Sequence, residues 1–342
     1  MLRKLRQKFL TPAIMQIASL ERKVDDIDRK MTSIERQDDD LDSKITSIER
    51  KIDDMHHIIT SSAAVSEHKR KYGVTLCDAP LTSPLVSSLA QRRDILSLSR
   101  WANELNNGIS SHRKLWEFEY ISQTLFEKGM LEPKKKGLGF AVGSEALPAL
   151  FAKYGVKVTA SDLDESNPQS LNWQTHNAHA ASIEHLERLD ICDKDTFYEN
   201  VSFIPLDMNN IPDNINDFDF CWSSCAFEHL GTVEKGRQFI HNTLKLLKPG
   251  GISVHTTEYN ISSEESFDDV PYQAIYGKNF FDKLQEEITA AGHSFSPLDL
   301  RLGNHPDDDY VAPAGKHDVH MKLMLSGNVS TSIGIIITKG SN

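Results

Sequence analysis

The sequence predicts an α/β domain built on a mostly parallel β-sheet and preceded by a coiled coil. Short apolar segments alternate with helical patterns after residue 136, and this alternation is typical of parallel strands joined by helical crossovers. Apolar residues recur every three or four positions between residues 17 and 59, as in a coiled coil. The net charge of −11, from 38 Lys and Arg against 49 Asp and Glu, argues against nucleic acid as a partner.

Residues 13–60 carry the coiled-coil signal. A 14-residue repeat appears three times, as SLERKVDD, SIERQDDD and SIERKIDD, and this spacing equals two heptads. With Ile17 at position a, twelve of the thirteen a and d positions up to Ile59 are apolar, and Asp38 is the exception. A lone amphipathic helix packed on its own globular domain is the alternative interpretation.

The charges that flank the a and d positions select an orientation. Position g holds Lys23, Lys30, Gln37, Lys44 and Lys51, and position e holds Glu21, Asp28, Glu35, Asp42 and Glu49. A parallel pair brings each g residue to the following e residue of its partner, whereas an antiparallel pair sets like charges together. We therefore expect a parallel homo-oligomer through residues 17–59, either a dimer or, because Ile occupies both a and d, a trimer. Asp38 should fix the register at a cost in stability.

Residues 1–12 form a basic N-terminus in which Leu2, Leu5 and Phe9 could share one helical face. This segment would either rest on an anionic membrane surface or stay solvated as a basic tail. The sequence has no apolar run of roughly 18 residues, no secretory signal, and scattered cysteines that suit a reducing compartment. We expect a cytoplasmic protein, located at the inner face of the membrane if the N-terminus binds lipid.

Residues 61–130 are predicted to contain a linker, SSAAVSEHKRKYG, followed by helices around 95–105 and 115–129. Trp116, Glu117 and Tyr120 lie in the second helix, where they could form an aromatic lid that suits a sugar ring. The alternative is a helix that packs against the edge of the sheet.

Residues 131–342 carry the alternation of strands and helices. The predicted strands are 137–140, 157–160, 201–205, 218–223, 251–256, 320–325 and 332–338. Helical patterns separate the first five, which should be parallel. No helix separates the last two, which should form an antiparallel hairpin.

Small residues mark the turn after the first strand of this domain. Gly137, Gly139, Ala141 and Gly143 alternate in the segment GLGFAVGSEALPAL, whose second half has a helical pattern. Small side chains let the backbone approach a ligand, and a helix N-terminus offers free N–H groups. Asp162 ends the next strand, 23 residues after Gly139, where a carboxylate can accept hydrogen bonds from a ribose diol.

This pattern resembles the glycine motif of class I S-adenosylmethionine-dependent methyltransferases. The segments FIPLDMNN, FDFCWSSCAFEHLG and LKPGG fit the same family in order and spacing, so that the resemblance covers about residues 130–342. The family usually has an acidic residue where this chain has Gly137, and often glycine where it has Ala141. The resemblance implies a Rossmann-like, seven-stranded methyltransferase sheet that ends in an antiparallel hairpin.

The resemblance also implies a cofactor and the residues that bind it. S-adenosyl-L-methionine would be held by Gly137, Gly139, Phe140, Ala141, Gly143, Asp162, Leu163, Asp207, Met208 and Ser223. The segments HRKLWEFEYI, GFAVGSE and TSIGIIITK look most like bacterial methyltransferases of cell-surface polysaccharide synthesis. That likeness implies O-methylation of a sugar hydroxyl, with a glycosyltransferase as a candidate partner. The alternatives are a catalytically silent scaffold and a methyltransferase that acts on a small metabolite or a protein.

Two residues are candidates for acid–base catalysis. His229 lies in the loop after the fourth strand, and its usual pKa suits a general base near neutral pH. Glu258, at the end of the fifth strand, could also face the acceptor, as could His255. A structural loop histidine and hydrogen-bonded strand-end residues are the alternatives. We expect no metal, because the acidic run after His305 is more typical of a solvated loop than of a magnesium site.

Overall fold

The computed structural model describes residues 2–76, 85–176, 178–269, 273–313 and 318–341. The chain divides into two units, Met1–Ile59 and Thr60–Asn342. The described helices are α1 (Leu2–Tyr72), α2 (Arg92–Ser97), α3 (Ser99–Glu104), α4 (Arg113–Glu127), α5 (Leu147–Lys153), α6 (Leu171–Thr175), α7 (Lys194–Asn200), α8 (Val233–Leu246), α9 (Lys278–Ala290) and α10 (Pro306–Asp309). Among the helices described, none combines the length and the apolar character needed to cross a membrane.

The strands belong to the second unit. They are β1 (Val74–Thr75), β2 (Ser87–Leu89), β3 (Lys136–Phe140), β4 (Lys157–Asp162), β5 (Val201–Pro205), β6 (Phe218–Ser224), β7 (Leu247–Asn260), β8 (Phe267–Asp269), β9 (Gln273–Ile275), β10 (Ser294–Phe295), β11 (Leu298–Asp299), β12 (Leu302–Gly303), β13 (Val311–Ala312), β14 (Lys322–Leu325) and β15 (Asn328–Thr338).

Helix α1 continues beyond residue 60, where the sequence predicted a linker. The prediction of a linker was wrong because residues 61–72 have a face to bury: Val65 is buried, and His68 Nε2 lies 2.9 Å from the carbonyl oxygen of Leu300. Three basic residues in the last turn suit the negative end of the helix dipole. The helix ends where Gly73 adopts a left-handed φ of 88° and its N–H bonds back to the carbonyl of Lys69.

The main sheet is parallel at its centre. Strands β7, β6, β3, β4 and β5 lie side by side in this order, and every neighbouring pair among them is parallel. Strand β15 is antiparallel to β7, and β14 and β15 form an antiparallel hairpin whose turn is Ser326–Gly327, both with positive φ. The predicted parallel strands and the terminal hairpin are therefore confirmed, and the fold is a mixed α/β fold with a mostly parallel central sheet.

The described part of the main sheet has eleven strands instead of the seven expected. The outer edge of β15 pairs in turn with β14, β2 and β10, while β11 and β13 extend the sheet from β2 and β14. A strand of eleven residues is long enough to offer three successive pairing sites. The added strands are two or three residues long, too short to carry a recognisable sequence pattern.

Helix α4 packs against the sheet and does not form an aromatic lid. Trp116 and Tyr120 are both buried and stack with their ring centroids 4.8 Å apart. The Tyr120 hydroxyl donates to the carbonyl of Val86 at 2.9 Å, and the ring fills the space above Gly334 of β15. The alternative of a helix packed on the sheet is confirmed, since neither aromatic ring is available to a ligand.

Two glycines of β3 allow large aromatic side chains from β6 to pack over the strand. A Cβ atom at Gly137 would lie 2.3 Å from the Phe220 ring, and one at Gly139 would lie 2.4 Å from the Trp222 ring. Both rings are completely buried. Phe220 therefore occupies the space that a side chain at position 137 would need, which accounts for the glycine at this position.

We predict that Gly137→Ala lowers the free energy of unfolding by about 1–3 kcal/mol, the usual effect of overpacking a dense core. Gly108→Ala is the matched control, because its Cβ would meet nothing within 4 Å. Urea denaturation of both variants and the parent chain measures the effect. Equal stability of the Gly137 variant and the parent would contradict the packing argument.

Candidate active site

The loop after β3 has the backbone geometry of a ligand cradle. Ala141 and Gly143 both adopt left-handed φ values, of 47° and 52°. Such a φ strains an alanine by about 1 kcal/mol, so glycine would adopt the same backbone at position 141 with less strain. Phe140, at the end of β3, is buried against Phe239 and supports the loop from below.

Asp162 organises this loop from the end of β4. Its Oδ2 accepts hydrogen bonds from the backbone N–H groups of Gly143 and Ala180, both at 3.0 Å, and its Oδ1 accepts one from Leu163 at 2.8 Å. Burial raises the pKa of Asp162, and these three N–H groups act against that rise. A carboxylate offers about four acceptor positions, so one remains on Oδ1 for a ligand hydroxyl.

The chain segment after β4 crosses the mouth of this cradle. The carbonyl oxygen of Ala178 packs so closely on Gly143 that a Cβ there would lie 2.6 Å away. His179 Nε2 lies 2.6 Å from the carbonyl oxygen of Leu163. Farther along, the Trp173 ring of α6 meets the His229 ring with centroids 4.6 Å apart. The segment therefore contacts both the glycine loop and the loop after β6.

Asp207 and Met208 follow β5 at the same edge of the sheet. The Asp207 carboxylate accepts from the backbone N–H of Asn209 at 2.8 Å and from the side-chain amide of Asn210 at 2.6 Å. Asp207 remains half-buried, whereas Met208 is buried. The structure thus brings the candidate positions after β3, β4 and β5 to one edge, because the strands are parallel and their carboxyl ends meet there.

Ser223 and His255 have side chains in the protein interior. The Ser223 hydroxyl and Ser253 hydroxyl each lie 2.7 Å from a ring nitrogen of His255, and Thr243 continues the chain 2.9 Å from Ser253. Burial lowers the pKa of His255 to about 3, so that the ring is neutral. The expectation that His255 could face the acceptor was wrong. The side chain of Ser223 is likewise directed into this network.

A buried ionic cluster lies where α4 meets the ends of β6, β7 and β15. Glu117 of α4 accepts from Ser224 at 3.0 Å, Cys225 at 2.9 Å and Ser332 at 2.5 Å. Lys114 Nζ lies 3.1 Å from the same carboxylate. Burial alone would raise the pKa of Glu117, but the charges of Lys114 and Arg113 outweigh it and hold the pKa at about 2.

Glu258 is held by the same cluster. It forms an ion pair with Arg113 Nη2 and accepts a hydrogen bond of 2.6 Å from the Ser330 hydroxyl. Ligand atoms of Cys225, Glu228 and Glu258 lie within 4.8 Å of one another, a spacing that could suit a cation. Arg113 already neutralises Glu258, so we assign no metal to this group.

Glu228 and His229 lie in the short helical turn Phe227–Leu230 that follows β6. Glu228 is buried and accepts from the Thr257 hydroxyl at 2.9 Å, while His229 is half-buried with Nε2 3.9 Å from the Glu228 carboxylate. Burial, with a smaller contribution from Glu258, raises the pKa of Glu228 to about 8. Glu228 is therefore protonated at neutral pH, beside a histidine that reaches the surface.

The comparison with protein-family models identifies the domain that contains this edge of the sheet. Residues 138–255 match the family model described as "Methyltransferase domain". The chain carries a methyltransferase domain. It is an S-adenosylmethionine-dependent enzyme, and S-adenosyl-L-methionine is its cofactor. The matched range runs from β3 to β7 and contains the glycine loop, Asp162, Asp207 and His229.

Solved structures of other methyltransferases resemble the chain at a distance. A sarcosine dimethylglycine methyltransferase from Galdieria sulphuraria is 16% identical, with 66% of this chain and 84% of that chain covered and a TM-score of 0.38. The glycopeptide N-methyltransferase MtfA is 11% identical, with 67% and 96% covered and a TM-score of 0.38. A methyltransferase from Bacillus halodurans C-125 is 16% identical, with 63% and 97% covered and a TM-score of 0.39. The comparison with curated proteins found no match.

The sequence analysis did not identify Arg113 and Lys114 as members of the buried ionic cluster. Both lie on α4, well before the glycine loop in the chain, and their partners are on β6, β7 and β15. One local signal was available: Arg113 and Lys114 stand four and three residues before Glu117, the spacing at which helical side chains of opposite charge meet.

We predict that Glu228→Gln gains stability relative to the parent methyltransferase as the pH rises. The raised pKa means that the folded parent holds an extra proton between about pH 4.5 and pH 8, so its free energy of unfolding falls through this window. Glutamine does not titrate, so the variant does not lose this stability as the pH rises. A difference of one between the pKa values of the folded and unfolded states corresponds to about 1.4 kcal/mol of unfolding free energy. Its advantage should therefore grow by a few kcal/mol from pH 5 to pH 8.

Urea denaturation at pH 5, 6, 7 and 8 provides the measurement. Glu286→Gln, an exposed position on α9, is the matched control and should track the parent at every pH. A stability difference for the Glu228 variant that stays constant across this range would show that Glu228 titrates normally.

Proposed function

We propose that the enzyme transfers a methyl group from S-adenosyl-L-methionine to a hydroxyl group of a sugar, in a cell-surface polysaccharide or its precursor. The methyltransferase match supports the reaction class. The acceptor class rests on the resemblance of HRKLWEFEYI and its companion segments to polysaccharide methyltransferases.

The residues of the cradle fit the cofactor. Oδ1 of Asp162 retains an acceptor position for a ribose hydroxyl, beside the loop in which Ala141 and Gly143 have left-handed backbone. Asp207 is half-buried at the end of β5, where it can accept a hydrogen bond from the adenine amine. The cofactor supplies an electrophilic methyl group, and the chain's own residues must position the acceptor oxygen and remove its proton.

His229 is the residue that we assign to proton removal. Its ring reaches the surface of the loop after β6, and Glu228 lies 3.9 Å from its Nε2. Trp173 contacts the same ring, so that the histidine is held from a second side. Glu258 is already engaged by Arg113 and Ser330, and we assign it the positioning of Arg113 in place of a direct role in proton transfer.

We predict that Asp207→Ala weakens binding of S-adenosylhomocysteine about tenfold or more, the effect of losing one hydrogen bond to a charged group. Asp207 is a cleaner probe than Asp162, whose removal would leave three backbone N–H groups without their acceptor. Asp213→Ala, at an exposed position in the same loop, is the control. Calorimetric titration measures the dissociation constants. Equal affinities for the two variants would place the cofactor elsewhere.

We predict that the enzyme methylates sugars in preference to amines and carboxylic acids. Radiolabelled S-adenosylmethionine is incubated with a panel of hexoses, deoxyhexoses and oligosaccharides, and with a second panel of amines and carboxylic acids. Label that is stable to alkali and resides in a sugar supports the proposal, because a methyl ether resists hydrolysis and a methyl ester does not. Label confined to amines or esters would overturn the acceptor class.

The same assay tests His229 with the acceptor so found. His229→Gln should lower kcat by about 100-fold or more while KM and S-adenosylhomocysteine affinity change little, as for loss of a general base. His56→Gln, at an exposed position of α1, is the matched control. Unchanged kcat in the His229 variant would exclude its role as the base.

A further inference from the structure

Helix α1 presents an unpartnered apolar stripe in the first unit. Eleven large apolar side chains lie at heptad positions a and d, and each has between 51% and 65% of its surface exposed. They are Leu20, Val24, Ile27, Met31, Ile34, Leu41, Ile45, Ile48, Ile52, Met55 and Ile59. We call these residues the seam. Among the described side chains between residues 19 and 59, none is buried.

We propose that the seam binds the seam of a second copy of this chain, in parallel and in register, as a homotypic coiled coil. A continuous apolar stripe of this length is unfavourable in water, and a partner helix that packs against it would remove its side chains from water. The 3.5-residue spacing of the seam matches the knobs-into-holes packing of a partner with the same repeat. This proposal is independent of the chemistry assigned to the catalytic domain.

Charge complementarity identifies the partner as the same sequence in the same direction. Basic residues occupy four of five g positions, and acidic residues occupy all five e positions between residues 21 and 51. In a parallel pair Lys23, Lys30 and Lys44 meet Asp28, Glu35 and Glu49 of the other copy. In one chain Lys30 and Lys44 already pair with Asp26 and Asp40 through exposed contacts of 2.8 and 2.6 Å. Antiparallel pairing would instead bring lysine to lysine and carboxylate to carboxylate.

Asp38 specifies the register of this pair. It is the one polar residue among the a positions, and parallel in-register packing brings the Asp38 side chains of both copies together. A shift by one heptad would place the two carboxylates in two separate layers of the apolar seam, whereas in-register packing confines them to one polar layer. Asp38→Ile should therefore tighten the association about tenfold or more while relaxing the register.

Sedimentation equilibrium of the full chain at micromolar concentration tests the association. The parent chain should have two or three times its mass of 38.5 kDa. Ile45→Glu combined with Ile48→Glu should sediment as a monomer, because both residues lie in the seam. Ser43→Glu combined with Ser47→Glu adds the same charge to the same helical turns outside the seam, and should keep the parent mass. A monomeric parent, or two double variants of equal mass, would overturn the proposal.

Disulfide trapping tests the direction. Leu20→Cys places a thiol near the start of the seam, where a parallel pair brings the two copies together. Antiparallel copies would hold the same thiols tens of ångströms apart, because a helix rises about 1.5 Å per residue. Rapid formation of a covalent dimer by the variant, with none by the parent chain, is the expected result. An oligomer that does not cross-link at this position would exclude parallel packing.

Discussion

Glu117 joins helix α4 to the carboxyl end of β6 and, through Ser332, to the amino-terminal half of β15, and the geometry of this edge of the sheet depends on that contact. Burying a carboxylate costs several kcal/mol unless cations lie beside it, and Arg113 and Lys114 supply that charge from the same helix. Arg113 also pairs with Glu258 of β7. One turn of α4 therefore fixes the ends of three strands relative to one another.

Two buried glutamates of the cluster have opposite pKa shifts and therefore different charges at neutral pH. Glu117 is ionised because Lys114 and Arg113 hold its pKa at about 2, whereas burial and the neighbouring Glu258 carboxylate raise the pKa of Glu228 to about 8. A protonated Glu228 adds no negative charge beside His229.

The sequence predicted the central strands and the terminal hairpin because their apolar segments are long enough to show a period. It did not predict β2 and β10, the strands of three and two residues that pair with the outer edge of β15, because segments this short carry no recognisable pattern. The ionic cluster was also missed, since Glu117 and Arg113 bond to residues 107 and 219 positions away. The sequence pattern alone located the glycine loop. It could not explain Gly137, because the Phe220 ring that occupies the space of a side chain at position 137 belongs to another strand.

Hydrogen–deuterium exchange of the parent chain, with and without S-adenosylhomocysteine, tests most directly where the cofactor binds. We expect protection of the backbone amides in the glycine loop after β3, around Asp162 and around Asp207, with little change at the amino ends of the strands. Those amino ends also surround a hollow, lined by Lys157, Asn200 and Asn216 among others, which serves as an internal comparison. Protection confined to that hollow, or absent from the glycine loop, would contradict the account.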